Sequence, residues 1–146
     1  MYAKVINQLN RVITRSVYAT YPVVLILLVY WGDSRFWRVL LAPSISFVLV
    51  SVFRNMINAP RPYEVTGVTP IIQKDTQGKS FPSRHVFSVF VIATTFYFIS
   101  QPLGIVLMVM GCVLAILRVI GGVHYARDVI AGAIIGIISG VLGFYF

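Results

Sequence analysis

Residues 117–128, reading LRVIGGVHYARD, set an arginine, a histidine and an aspartate in a chain that is 58% hydrophobic. Charged side chains are costly at membrane depth, so those kept there are candidates for function. His124 and Asp128 are four residues apart. With a helix running to the C-terminus from near Val123, that spacing brings both to one face, where the carboxylate accepts the imidazole N–H. The contact fixes the tautomer and leaves the other ring nitrogen free as a base or nucleophile. Gly121 and Gly122 supply the bend before it, and Arg118 closes the preceding helix. An arginine and a histidine near one helix end are more often snorkelling groups than catalysts. What decides is whether other parts of the chain deliver matching groups to the same place.

Two other clusters carry such groups: Arg54 with Arg61, and the run Pro82-Ser83-Arg84-His85. His85 and His124 are the only histidines. The elements that must position them follow from composition. Apolar usage well above the roughly 45–50% of soluble domains marks an integral membrane protein, and 146 residues give one domain with room for about five spans. We expect an all-α, polytopic transmembrane helical bundle, 1–146, with an amphipathic N-terminal segment at 1–16 and a polar loop at 58–81 on the active-site side. In the N-terminal segment Val5, Ile6, Leu9, Val12, Ile13 and Val17 recur at helical spacing. That pattern fits a helix lying in the membrane surface, and equally the wet end of a longer first helix.

The spans are expected at about 17–31, 36–57 with a kink at Pro43, 83–99, 103–120 and 126–146. Ser80 reads as the N-cap of the third, with Pro82 near its first helical position. A short interfacial piece is expected around 68–72 within the loop. Gly132, Gly136 and Gly140 repeat every four residues in the last helix and let a neighbour approach closely. One cysteine, Cys112, gives no internal disulfide. No cleavable signal peptide is visible, because the first apolar run starts late and no small-residue cleavage site follows it.

Counting spans puts the end of the second helix, the start of the third, the end of the fourth and the start of the fifth on one membrane face. Arg54, Arg61, Ser83, Arg84, His85, Arg118, His124 and Asp128 then converge. The chemistry such a set supports is attack on phosphorus: arginine forks bind phosphate oxygens, and neutralising their charge is most of what phosphoryl transfer requires. The start of the third helix adds backbone N–H donors at Ser83 and Arg84. His124 attacks in line and His85 protonates the leaving oxygen, which predicts a bell-shaped pH profile whose limbs belong to the coupled site. Only Asp33, Glu64, Asp75 and Asp128 are acidic, and Asp128 is committed to His124, so no metal and no other cofactor is expected. The net charge of +8 comes without a nucleic-acid-reading motif, and the positives sit at the ends of apolar runs. The expected partners are therefore the bilayer and an anionic lipid phosphate, with no nucleic acid.

These residues resemble the three motifs of the type-2 phosphatidic acid phosphatase superfamily, K-x6-R-P, P-S-G-H and S-R-x5-H-x3-D. They occur in order as Arg54 with Arg61-Pro62, as Pro82-Ser83-Arg84-His85, and as Leu117-Arg118 with His124 and Asp128. The resemblance runs from about the second helix to the end. It implies a metal-independent phosphatase of membrane lipid phosphates working through a phosphohistidine. His124 is then the nucleophile, Asp128 its orienting partner, His85 the general acid, and Arg54, Arg61, Arg118 and Ser83 the phosphate holders. Three positions depart from the pattern: Arg54 stands for lysine, Leu117 for serine and Arg84 for glycine. Arg84 either helps hold a second, diphosphate-type group or points outward to lipid head groups. The family often has six spans; the element missing here would precede the first span, far from the motifs, and the N-terminus would lie on the active-site side.

Among substrates, undecaprenyl diphosphate ranks first on the extra arginine, with phosphatidylglycerophosphate and phosphatidic acid next. Bacterial relatives commonly face the site outward, whereas the distribution of Lys and Arg argues for the inside; the reading here leans slightly outward, in a bacterial cell membrane. Two alternatives belong to other classes: a lipid phosphotransferase of the same fold, and a non-catalytic membrane scaffold, for which the histidine pair is unexplained. Vanadium-dependent haloperoxidases share the motif logic, but a bundle this apolar favours a lipid substrate.

Overall fold

A computed structural model describes residues 1–146. The chain folds as six helices: α1 (Tyr2–Tyr30), α2 (Phe36–Ile57), α3 (Pro62–Thr66), α4 (Arg84–Tyr97), α5 (Gln101–Ile120) and α6 (Ala126–Tyr145). Four of them, α1, α2, α5 and α6, are long and apolar enough to cross a membrane. α4 is shorter than the third span read from the sequence. Its 14 residues rise about 21 Å, and every residue from Val86 to Phe96 is buried. α4 is therefore the axis of the bundle, packed against α2, α5 and α6. A helix sheathed in protein need not match the hydrocarbon thickness, which constrains only lipid-facing elements.

The N-terminal segment is not a separate interfacial helix. α1 runs unbroken over 29 residues, through Pro22, a rise of about 43 Å. Its apolar stripe buries Ile13, Val17, Val24 and Leu28, so the wet first turns and the span share one face. Pro43 lies inside α2 without ending it. Proline has no N–H for the carbonyl four residues back, and at Val39 the Tyr21 hydroxyl supplies the donor, at 2.9 Å.

The glycines of α6 set its distance from α4. A Cβ on Gly136 would stand 2.8 Å from the Phe87 carbonyl oxygen and 3.0 Å from the Val91 nitrogen, and one on Gly132 would stand 2.6 Å from the Ser83 carbonyl oxygen. Backbone cannot yield as a side-chain tip can. Gly136→Leu should therefore cost about 3 kcal/mol, read as a lowered thermal midpoint in detergent; an unchanged midpoint would mean that α4 and α6 are not in close contact.

Candidate active site

Each site residue sits at a helix end or in the turn beside it. Arg54 is in the last turn of α2, Arg61 is the N-cap of α3, Ser83 is the N-cap of α4 and Arg84 and His85 open it. Arg118 is in the last turn of α5, and Asp128 is in the first turn of α6. Five of them, Arg54, Arg61, Arg84, His85 and His124, line one pocket of about 270 Å³ whose ten lining residues include no hydrophobic one.

The histidine–aspartate pair forms differently from the sequence expectation. α6 begins at Ala126 with Tyr125 as N-cap, so neither Val123 nor His124 is helical. His124 is held in the preceding turn, where Gly122 takes a positive φ of 77° and the Val123 and His124 amides both donate to the Arg118 carbonyl at 3.3 Å. Asp128 reaches back as a capping carboxylate. Its Oδ2 accepts the Tyr125 amide at 2.9 Å, the Ser80 hydroxyl, and lies 3.5 Å from His124 Nδ1. The helix cap and the imidazole orienter are thus one carboxylate. With Nδ1 facing Asp128, Nε2 is the free nitrogen.

Ser80 is not the N-cap of α4. It is fully buried, three residues before the true cap, and its hydroxyl also lies 3.4 Å from His124 Nδ1. Ser83 caps instead, its amide donating to the Asp128 carbonyl at 2.9 Å, which ties the start of α4 to the first turn of α6. Neither Ser83 nor Arg118 lines the pocket itself. Arg118 lies behind His85, with Nη2 3.4 Å from His85 Nδ1. Guanidinium only donates, so Nδ1 accepts and the Nε2 of His85 carries the proton.

The loop between α2 and α4 is folded down on this site by its own charges. Arg61, 1% exposed, donates from Nε to the Gly78 carbonyl at 2.9 Å and from Nη1 to the Val123 carbonyl at 3.1 Å. One guanidinium therefore joins the loop to the turn that carries His124. Glu64 fixes the backbone beneath it, accepting the Arg61 amide at 2.6 Å and the Gly78 amide at 2.9 Å. Ile72, buried, tucks against Gly121, whose carbonyl accepts its amide at 3.2 Å. The expected interfacial piece at 68–72 is absent; the one short helix in the loop is α3, started by Pro62. Spacing gives no sign that Glu64 or the pocket-lining Lys74 belongs to the site, and it marks Ser80 only as a helix cap. The one sequence trace is Glu64 three residues after Arg61, a capping-box interval.

Several buried donors have no partner: Arg54 Nε, Arg118 Nε and the Ser83 hydroxyl. Buried polar groups are nearly always bonded, so orphaned cationic donors around a polar pocket mark a place for an anion. Burial first, then Arg118 and Arg61, holds the His124 imidazole down at about 4, with Asp128 opposing. Burial and the surrounding arginines likewise lower the Lys74 ammonium to about 7. Since a histidine whose pKa is depressed stays neutral until pH falls through that value, His124 is neutral throughout the physiological range. With two histidines in the chain, ¹³C–¹H NMR of His-labelled protein, assigned through His85→Asn, should show no titration of His124 between pH 8 and 5; a midpoint near 6.5 would contradict the buried placement.

Arg84 is exposed, and its guanidinium stacks over the Phe47 ring at 5.2 Å. There it stands between the polar pocket and an apolar groove of about 550 Å³, lined by Tyr18, Tyr21, Pro43, Phe47, Val91 and Ile92 among others; Arg84 and His85 line both cavities.

Comparison with known proteins places the chain as follows. Residues 35–146 match the family described as the PAP2 superfamily. The bacitracin transport permease protein BcrC of Bacillus licheniformis is 27% identical over 134 residues, 88% of this chain and 66% of that protein. The lipid A 1-phosphatase of Porphyromonas gingivalis is 30% identical over 121 residues, 80% of this chain and 26% of that protein. The chain thus spans slightly under two thirds of the first and about a quarter of the second. The crystal structure of Aquifex aeolicus LpxE superposes with a TM-score of 0.74 at 26% identity, covering 99% of this chain and 93% of that one. That of a transmembrane PAP2-type phosphatidylglycerolphosphate phosphatase from Bacillus subtilis gives 0.78 at 22% identity, covering 99% and 76%, a likeness of fold.

Proposed function

The chain belongs to the PAP2 superfamily, and from that premise we propose that it hydrolyses the terminal phosphate of a membrane lipid, without a metal, through a phosphohistidine at His124. The observation that carries this reading is the pocket itself: an all-polar cavity with His124 and His85 on its walls and orphaned arginine donors around it, beside an apolar groove that shares Arg84 and His85. The phosphate sits in the pocket and the hydrocarbon chain in the groove. Arg54 and Arg61 bind the equatorial oxygens, with Ser83 and Arg118 turning their unpartnered donors to the same group and Arg84 closing the rim.

His124 Nε2 attacks phosphorus in line while Asp128 holds the proton on Nδ1. The bond to the leaving oxygen breaks, and that oxygen takes a proton from His85 Nε2. A guanidinium cannot donate to a protonated Nδ1, so Arg118 leaves His85 for the phosphate before that ring takes its second proton. Water, deprotonated by His85, then cleaves the phosphorus–nitrogen bond and frees His124. Asp128 Oδ2 is taken by Ser80, Tyr125 and His124, and the site gathers no three His, Cys, Asp or Glu side chains of the kind a metal needs, which supports the metal-free reading.

Undecaprenyl diphosphate is the favoured substrate, with phosphatidylglycerophosphate and phosphatidic acid as the comparisons to run, in a bacterial cell membrane with the site facing outward. The test is trapping. Protein quenched in base after brief exposure to substrate labelled in the terminal phosphate should carry one acid-labile, base-stable label on the peptide holding His124. Label on His85, or turnover with none, would overturn the assignment.

A further inference from the structure

The amphipathic start of α1 has a role that its sequence alone does not disclose. Lys4, Asn7, Gln8, Arg11, Thr14 and Arg15 share one face of the helix, opposite the buried Ile13 and Val17. That face is one wall of a cleft of about 1030 Å³; loop residues Thr69 to Gln73 form the other, and His85 also lines it. Two hydrogen bonds fasten the wall to the site: Asn7 Nδ2 donates to the Ile71 carbonyl at 2.7 Å, and Arg118 Nη1 donates to Asn10 Oδ1 at 3.3 Å. The first turns of α1 therefore lie against the site.

We infer that this cleft is a subsite for a second phosphate on the leaving-group side of the substrate, held by Arg11 and Arg15. The inference rests on the phosphatase reading above and sharpens its substrate class. In an in-line displacement the leaving oxygen lies across phosphorus from the attacking His124, on the side of His85. What is bonded to that oxygen must continue past His85, where the polar cleft and the apolar groove both begin.

The charge of the cleft selects what continues there. Lys4, Arg11 and Arg15 line it, no carboxylate does, and the ion pairs of the protein lie elsewhere, at Asp33–Arg35 and around Asp128. Three unpaired cations along one wall suit an anion. A lipid whose leaving group keeps a phosphate, whether a polyprenyl diphosphate or a glycerophosphate lipid with a terminal phosphate, brings one within a few bonds of the leaving oxygen. Phosphatidic acid, whose leaving group is an uncharged diacylglycerol, brings none. Lys74 and Arg84, on the other side of His85, serve the phosphate that is transferred.

The test is a ratio. The kcat/KM for undecaprenyl diphosphate and for phosphatidylglycerophosphate is divided by that for phosphatidic acid, in nonionic detergent micelles so that no anionic bilayer surface contributes. Arg11→Gln/Arg15→Gln should lower both ratios about tenfold or more, the loss expected for charge-assisted hydrogen bonds. Arg54→Gln should lower all three activities together and leave the ratios in place. Ratios unchanged in the α1 variant, or moved instead by Arg84→Gly, would overturn the subsite while leaving the phosphatase reading standing. A wild-type protein inactive on all three lipids would overturn both.

Discussion

Replacing His124 with alanine should abolish phosphate release from every lipid the protein accepts, by on the order of 10⁴-fold or more, as expected for the nucleophile of a concerted site. The loss has no bypass. A water replacing the imidazole would face a pocket whose other histidine, His85, is engaged with Arg118 and stands on the leaving-group side. The fold should tolerate the change, because His124 lies in a turn outside both flanking helices and its amide bond to the Arg118 carbonyl is independent of the side chain. Circular dichroism and the thermal midpoint in detergent separate lost chemistry from lost structure: an inactive variant that melts near the wild type fits the account, and an active one contradicts it.

Asp128→Asn should be nearly as damaging, about 10²- to 10⁴-fold in kcat, with the protein still folded. The asparagine oxygen can keep accepting from Ser80 and from the Tyr125 amide, so the cap of α6 survives. What is lost is the charge: the same oxygen faces His124 Nδ1, but as a neutral amide oxygen it holds the proton there less firmly, and the ring then more often offers the wrong nitrogen to phosphorus. Asp128→Ala should add a stability loss of about 1–3 kcal/mol, because it orphans two buried donors, the Ser80 hydroxyl and the Tyr125 amide. Asn and Ala variants with equal thermal midpoints would show that the carboxylate is not the cap described here.

Much of the site was legible because its residues are anomalies in an apolar chain, and because counting spans places helix ends on one face or the other. Arg54, Arg61, Arg84, His85 and His124 do line one pocket, with Asp128, Ser83 and Arg118 behind it. What eluded sequence reasoning depended on packing. The four-residue spacing of His124 and Asp128 reads as one helical face, yet a cap reaching back across a turn gives the same interval. Ser80 reads as an N-cap because serine before a proline-led helix usually is one; burial against Asp128 gives it another use. Lys74 lies in a polar loop with no periodicity, and only the fold of that loop, pinned by Arg61 and Glu64, brings it to the site.

The helices show the same division. Hydropathy identified five long apolar stretches, but it cannot separate a lipid-facing span from one sheathed by its neighbours, and α4 is the latter. Nor does amphipathicity say what the polar face meets. The polar stripe of α1 fitted a membrane surface equally well, and its position against the 69–73 loop follows from the continuation of α1 into a span that packs on α5.

The histidine mechanism is tested most directly by phosphate release from the purified protein, with EDTA present throughout, using undecaprenyl diphosphate, phosphatidylglycerophosphate and phosphatidic acid in parallel and His124→Ala beside it. Release that survives chelation and vanishes in the variant is the predicted result. Release that chelation stops, or that the variant retains, would contradict a metal-independent histidine mechanism.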